Sequence, residues 1–312
     1  MKIVISGGSG FLGRALSDAL LQDGCEVVIL TLALDPGVVV HEAGTGLPGL
    51  SNAGWRPDGT NGVGLWAKLL DGADAVVNLA GEPIVARRWS AAQKTRIRDS
   101  RVLGTRSIVG AIQAATHSPA VLVNASAIGV YGDRGDEELT EASATGDDFL
   151  AQTCLDWEAE AREAEALVGR LAILRCGIAL EAGGGALAKM LPPFKAFVGG
   201  PLGTGQQYMS WIHRADWVDL VRWVIATKTA TGIFNATAPA PVTNAAFSKA
   251  LGRALGRPSL LPAPAFAMRL ALGEMADALL LGGQRVLPSR AKELGFNFRF
   301  STIDHALVSI LH

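Results

Sequence analysis

Cysteine is scarce in this chain. The three residues, Cys25, Cys154 and Cys176, lie far apart and form no Cys-x-x-Cys spacing. That excludes a disulfide framework and a cysteine zinc site, and it fits free thiols in a reducing compartment. No other metal-ligating cluster is visible in the sequence. Tyrosine is scarcer still, at Tyr131 and Tyr208 only. Charge of one sign is lacking, because 28 Lys and Arg balance 29 Asp and Glu. A net charge of −1 gives no footprint for nucleic acid or an anionic membrane. Long hydrophobic runs are missing as well. The most apolar C-terminal stretch, Leu260 to Leu281, is interrupted by Arg269, Glu274 and Asp277. Those charges indicate an amphipathic helix rather than a membrane span. The apolar run at residue 3 ends at glycines within a few residues, so no signal peptide is read and a cytoplasmic protein is expected.

What remains is the composition of a well-packed α/β protein. The 312 residues are 49% hydrophobic and 18% charged, with mean hydropathy +0.28. That length suits one large domain or two interlocked ones.

The first thirty residues organise the rest. Lys2 to Ile5 is a short apolar run, and Ser6-Gly7-Gly8-Ser9-Gly10-Phe11-Leu12-Gly13 follows at once. Arg14 to Asp23 is amphipathic, and Val27 to Leu32 is a second apolar run. The pattern predicts strand, glycine turn, helix and strand, a βαβ unit whose turn can hold a dinucleotide. The glycines permit the tight turn, the approach of a pyrophosphate and the packing of helix on strand. The phosphates would meet free N–H groups at the helix N-terminus.

Further along, Asp35 to Thr60 is rich in Gly and Pro and reads as loop with at most one short strand. Gly64 to Leu70 reads as a short helix, Ala75 to Leu79 as a strand, and Ser90 to Ala115 as a long helix capped by Ser90. Ala120 to Ala125 is a strand, Asp147 is the expected cap of a helix to Ala166, and Leu171 to Leu174 is a strand. Strands alternating with helices imply an α/β fold with a doubly wound parallel sheet. After Gly177 the pattern changes. Gly183 to Gly205 reads as loop-rich, Asp216 to Ala226 as helix and Gly232 to Asn235 as strand. Helices follow at Asn244 to Leu255, near 265–281 and at Ile303 to Leu311. The tail is therefore expected to be a smaller, mostly helical lobe.

Four groups of residues then carry a resemblance. The glycine turn, Asn78-Leu79-Ala80-Gly81, Val130-Tyr131-Gly132, and Trp211-Ile212-His213 with Asp216 together resemble the extended short-chain dehydrogenase/reductase family. Asn78 to Ile84, Arg88-Trp89, Ser100-Arg101 and Gly199-Gly200-Pro201-Leu202-Gly203 resemble its epimerase-family subgroup with a small C-terminal domain of undefined role. The resemblance implies a Rossmann domain over residues 1–180 plus about 210–236, and a substrate lobe from 181–209 and 237–312. It implies cofactor contacts at Gly7, Gly10, Phe11, Leu12, Gly13, Thr31, Leu32, Leu79, Ala80, Gly81 and Arg101. Glu82 ends a strand at the same edge, where it would orient a ribose or substrate or else be a solvated carboxylate. A small-molecule substrate is expected, and either a monomer or a dimer through residues 90–115 and 147–166.

The cofactor type and the chemistry are less clear in the residues. An NAD site wants a carboxylate about 20 residues past the glycines. That place holds Thr31-Leu32, with Asp35 three residues on, and no Lys or Arg occurs between Cys25 and Arg56. The resemblance favours NADP(H). Family chemistry uses a Tyr-x-x-x-Lys pair, in which the lysine lowers the tyrosine pKa for proton transfer. The matching positions here are Leu150 and Cys154, and neither tyrosine has lysine four residues on. Ser126 and Tyr131 are the catalytic candidates that remain, each with a packing alternative. His213 is read as a contact between lobes or a general acid, and Cys154 as buried. Two functions stay open: an NADP(H)-dependent oxidoreductase or epimerase with a non-standard acid, and a non-catalytic NADP(H) sensor or scaffold. A partner-binding C-terminal lobe is a third.

Overall fold

The structure, a computed structural model, describes residues 1–41, 49–60 and 64–312. The chain runs β1 (Lys2–Ser6), α1 (Phe11–Gln22), β2 (Glu26–Thr31), β3 (Val39–His41), β4 (Leu50–Gly54), β5 (Ala75–Asn78), α2 (Ala91–Ala114), β6 (Val121–Ala127), β7 (Glu138–Leu139) and α3 (Phe149–Arg162). It continues β8 (Arg170–Cys176), β9 (Ile178–Glu181), α4 (Gly185–Lys195), β10 (Tyr208–Met209), β11 (Trp211–His213), α5 (Arg214–Ala226), β12 (Gly232–Ala236), β13 (Val242–Thr243), α6 (Asn244–Leu255) and α7 (Ala265–Leu272). A terminal helix spans Ile303–Leu311.

The main sheet has the order β12-β8-β6-β5-β1-β2-β4-β3. Every pairing is parallel except β3 on β4. Strand order reverses between β1 and β5, which opens a crevice at their C-terminal ends. The strands are apolar on both faces because helices cover both. Ile3, Ile5, Val27 and Ile29 pack with Leu16 and Leu20 of α1 and Trp217 and Val221 of α5. Their alternate neighbours Val4, Val28 and Leu30 pack with Ile108 and Ile112 of α2 and Ala161 of α3. A separate cluster joins Leu180, Leu187, Phe194, Trp211, Phe247 and Leu307 from the C-terminal elements.

Several elements depart from the sequence reading. Asp35 to Thr60, read as loop with room for one short strand, holds two among the described residues: β3, and Leu50–Gly54, a sheet strand paired with β2 from Val27↔Leu50 to Thr31↔Gly54. Its Ser, Asn and Gly content hides it, and pairing overrides propensity; residues 42–48 of that stretch lie outside the described residues. The loop-rich segment holds α4, which keeps Pro192 and Pro193 in its last turn and buries Leu187, Leu191 and Phe194 on one face. Asp148 rather than Asp147 caps α3, its carboxylate accepting from the Ala151 N–H at 2.8 Å. Thr243 rather than Asn244 caps α6. The apolar helix near 265–281 breaks at Gly273, where φ is +63°.

Candidate functional site

The glycine turn sits at the crevice between β1 and β5. Gly7 has φ +72°, and a Cβ there would lie 2.9 Å from the Leu79 carbonyl. At Gly13 a Cβ would lie 2.3 Å from the Gly7 carbonyl oxygen, so α1 packs on the turn only without a side chain. Gly10 is the N-cap of α1, and no side chain caps the helix. Its first-turn N–H groups therefore lack an internal acceptor and face outward with the positive end of the helix dipole. This is a cradle for a diphosphate, and the residues present fit one.

The other expected contacts surround it. The Phe11 ring packs under the turn after β9, where a Cβ on Gly184 would lie 2.6 Å from it. The Arg214 guanidinium lies 5.4 Å from the same ring. Leu12 packs on the core beneath α1. At the end of β2, Thr31 accepts from the Ala33 N–H through its hydroxyl and from the Trp55 N–H through its carbonyl. Leu32 is 71% exposed. At the end of β5, Leu79 donates its N–H to Ser6, and Ala80 and Gly81 follow along the rim. Arg101 reaches this rim from α2. Its Nη1 donates to the Glu82 and Ile97 carbonyls, and its guanidinium carbon lies 5.3 Å from the Trp157 ring. Glu82 is held from both ends, its N–H donating to the Ser100 hydroxyl and its carboxylate accepting from Gln93. The edge is supported from below by Asn78, which accepts from Ser6 and donates to Thr105 and Asn124.

The catalytic expectations fare differently. Ser126 donates to Glu158 at 2.7 Å, both side chains being buried. Arg175 holds the same carboxylate through Nε at 2.8 Å and Nη2 at 2.9 Å. Its Nη1 donates to the Tyr131 hydroxyl at 3.0 Å, and that hydroxyl donates to Asn235 at 2.7 Å. The structure thus brings Ser126 and Tyr131 into one network, but under the surface. Tyr131 is fully buried, and burial pushes its pKa up. A phenol that passes protons near neutrality needs the opposite shift. Of the two readings of Tyr131, proton donor or packing residue, its burial and its bonds to Arg175 of β8 and Asn235 of β12 support packing. Leu150 packs against Gly129, and burial pushes the Cys154 thiol up to about 11. With its pKa raised so far, the thiol stays protonated near neutrality.

The Glu158–Arg175 pair escaped the sequence reading. Its signal was there: Arg175 closes an otherwise apolar run from Leu171, and a charge in a central strand needs a partner. Among the described residues no cluster of three His, Cys, Asp or Glu stands ready for a metal ion, and no helix is long and apolar enough to cross a membrane.

His213 caps α5, its Nδ1 accepting from the Ala215 N–H at 3.0 Å, and it stacks on Phe300 at 3.8 Å. Among the described residues its buried Nε2 has no partner. Burial pushes its pKa down to about 4. The unfolded chain therefore binds a proton that the folded chain refuses between pH 6.5 and about 4. The contribution of His213 is complete above pH 6.5 and fades as pH falls through that window. Wild type is expected to lose up to about 1.4 kcal/mol per pH unit more than His213→Gln across it, read by urea melts at each pH.

Residues 3–236 match the model of the NAD dependent epimerase/dehydratase family, and residues 263–310 match a domain of unknown function. The chain is similar to the chloroplastic SDR39U1 homologue of Arabidopsis thaliana, an epimerase family protein, at 40% identity over 100% of this chain and 87% of the relative. It is 40% identical to an epimerase family protein of Mycobacterium bovis, over 98% of this chain and 96% of the relative. Among solved structures it resembles human epimerase family protein SDR39U1 crystallised with NADPH, with TM-score 0.87, 32% identity and coverage of 100% of this chain and 99% of that one.

Proposed function

Because this chain belongs to the NAD dependent epimerase/dehydratase family, we propose that it binds NADP(H) along the ends of β1, β2 and β5 and serves as a reductase- or epimerase-like protein. The observation that carries this is the cradle of Gly7, Gly10 and Gly13, which leaves the α1 N-terminus uncapped beside Leu79. The contacts we assign are Gly7, Gly10, Phe11, Leu12, Gly13, Thr31, Leu32, Leu79, Ala80, Gly81, Glu82 and Arg101. Support for NADP(H) over NAD(H) comes from the NADPH named with the human relative and from the missing acid after β2. When bound, the nicotinamide would supply hydride transfer. The chain's own residues orient it and shield it. Phe11, packed against Gly184 at the start of α1, would border the diphosphate, and Arg101 fixes the Glu82 carbonyl at the rim. Residues 181–209 and 237–312 are the lobe we assign to a small polar substrate such as a sugar derivative. Free thiols, two buried and one half-buried, favour a reducing compartment such as the cytoplasm.

The burial of Tyr131, with Leu150 and Cys154 at the positions of the usual relay, favours a second reading: a non-catalytic NADP(H) sensor or scaffold. One assay separates the two. Purified protein is loaded with NADPH or NADP⁺ and offered a panel of carbonyl compounds and nucleotide sugars. Turnover supports the enzyme. Bound cofactor with silence across the panel supports the sensor. In either case Tyr131→Phe is expected to leave NADPH affinity within about twofold of wild type. The same change lowers stability by about 1–3 kcal/mol, since Arg175 and Asn235 lose a buried partner.

A further inference from the structure

The end of β2 poses a problem for the cofactor reading. A 2′-phosphate on the adenosine ribose would lie over Thr31-Leu32, and Leu32 offers it no charge. Two cations border that place from other elements. Arg14 is in the first turns of α1, and helical side chains lean toward the N-terminus. Its Nε donates to the Ser9 carbonyl at 2.8 Å, which folds the guanidinium over the glycine turn. The turn lies beside β2, since Ser6 pairs with Leu30 and a Cβ on Gly8 would meet the Ile29 side chain. The other cation comes from β4. Gly54 pairs with Thr31, Trp55 donates its N–H to the Thr31 carbonyl, and Arg56 is the next residue, exposed. Trp55 turns its ring into the core against Trp66. Among the described residues neither Arg14 nor Arg56 makes an ion pair, although Asp58 feels the charge of Arg56. Both Nη groups of each remain for a ligand, in the fork that suits a phosphate.

We propose that Arg14 and Arg56 read the 2′-phosphate of NADP(H) from either side of Leu32, replacing a cation on β2. The inference rests on the cofactor reading above, and on nothing about catalysis. Its test is a fluorescence titration of NADPH and NADH into nucleotide-free wild type, Arg14→Ala and Arg56→Ala. Wild type is expected to prefer NADPH. Each substitution is expected to weaken NADPH roughly tenfold or more, as loss of a charged hydrogen bond does, and to leave NADH within about twofold. Retained NADH affinity also shows that the variants fold. The proposal is overturned if either variant keeps wild-type NADPH affinity, or if NADPH and NADH weaken together. Wild type that binds neither nucleotide defeats the cofactor reading itself. Wild type that prefers NADPH while a variant keeps that preference defeats only the assignment of Arg14 and Arg56.

Discussion

Gly13→Ala is expected to abolish the thermal response to NADPH and to lower the melting temperature of the free protein. The new methyl would lie 2.3 Å from the Gly7 carbonyl oxygen and 2.6 Å from the Gly8 Cα. Both are backbone atoms of a turn already pinned against Leu79, so neither can swing away as a side-chain end would. Relief requires α1 to tilt off the turn, and its first N–H groups leave the diphosphate position with it. Forced overpacking of this kind costs about 1–3 kcal/mol. Gly183→Ala is the matched control, because a Cβ there meets nothing within 4 Å. It should melt and respond as wild type does. Melting curves with and without NADPH read both effects together. A Gly13→Ala protein that responds normally would place the nucleotide elsewhere.

Arg175→Met is expected to be the most destabilising of the single substitutions considered. Glu158 would be left as a carboxylate with 3% side-chain exposure, its two hydrogen bonds from Arg175 gone. Removing one partner of a buried ion pair costs about 3–5 kcal/mol, far more than the pair contributes net, because the other charge stays desolvated. The double variant Arg175→Met with Glu158→Leu should therefore recover most of the loss, although each change alone is harmful. Urea denaturation of the four proteins closes the cycle. Equal, additive losses would mean that the two side chains do not act as a pair.

Much of this architecture was legible from residue 2 onward. Strand, glycine turn, helix and strand follow one another without interruption. The strands at 75–78, 121–127 and 170–176 announce themselves as apolar runs, because both sheet faces are covered. β4 does not, since Leu50-Ser51-Asn52-Ala53-Gly54 has a turn's composition and becomes a strand only through its pairing with β2. α4 lies in the stretch that read as loop-rich, and its Pro192-Pro193 fall where the helix is about to end. The site divides along the same line. Gly7 and Gly13 were readable because their chemistry is local to one turn. Tyr131 was not, because the distance from Val130-Tyr131-Gly132 to Arg175 and Asn235 exists only in the folded sheet. Sequence shows which residue types are present; burial decides that this phenol holds strands together.

The central claim is that the glycine turn of this chain holds NADP(H). Thermal melting of protein stripped of carried-over nucleotide, alone and with NADPH or NADH, tests it most directly. NADPH is expected to raise the melting temperature clearly, since a ligand at a hundred times its Kd stabilises the folded state by about 2.7 kcal/mol. NADH is expected to raise it less. No rise with either nucleotide would contradict the account, and would turn the search for function from the crevice to the surface of the C-terminal lobe.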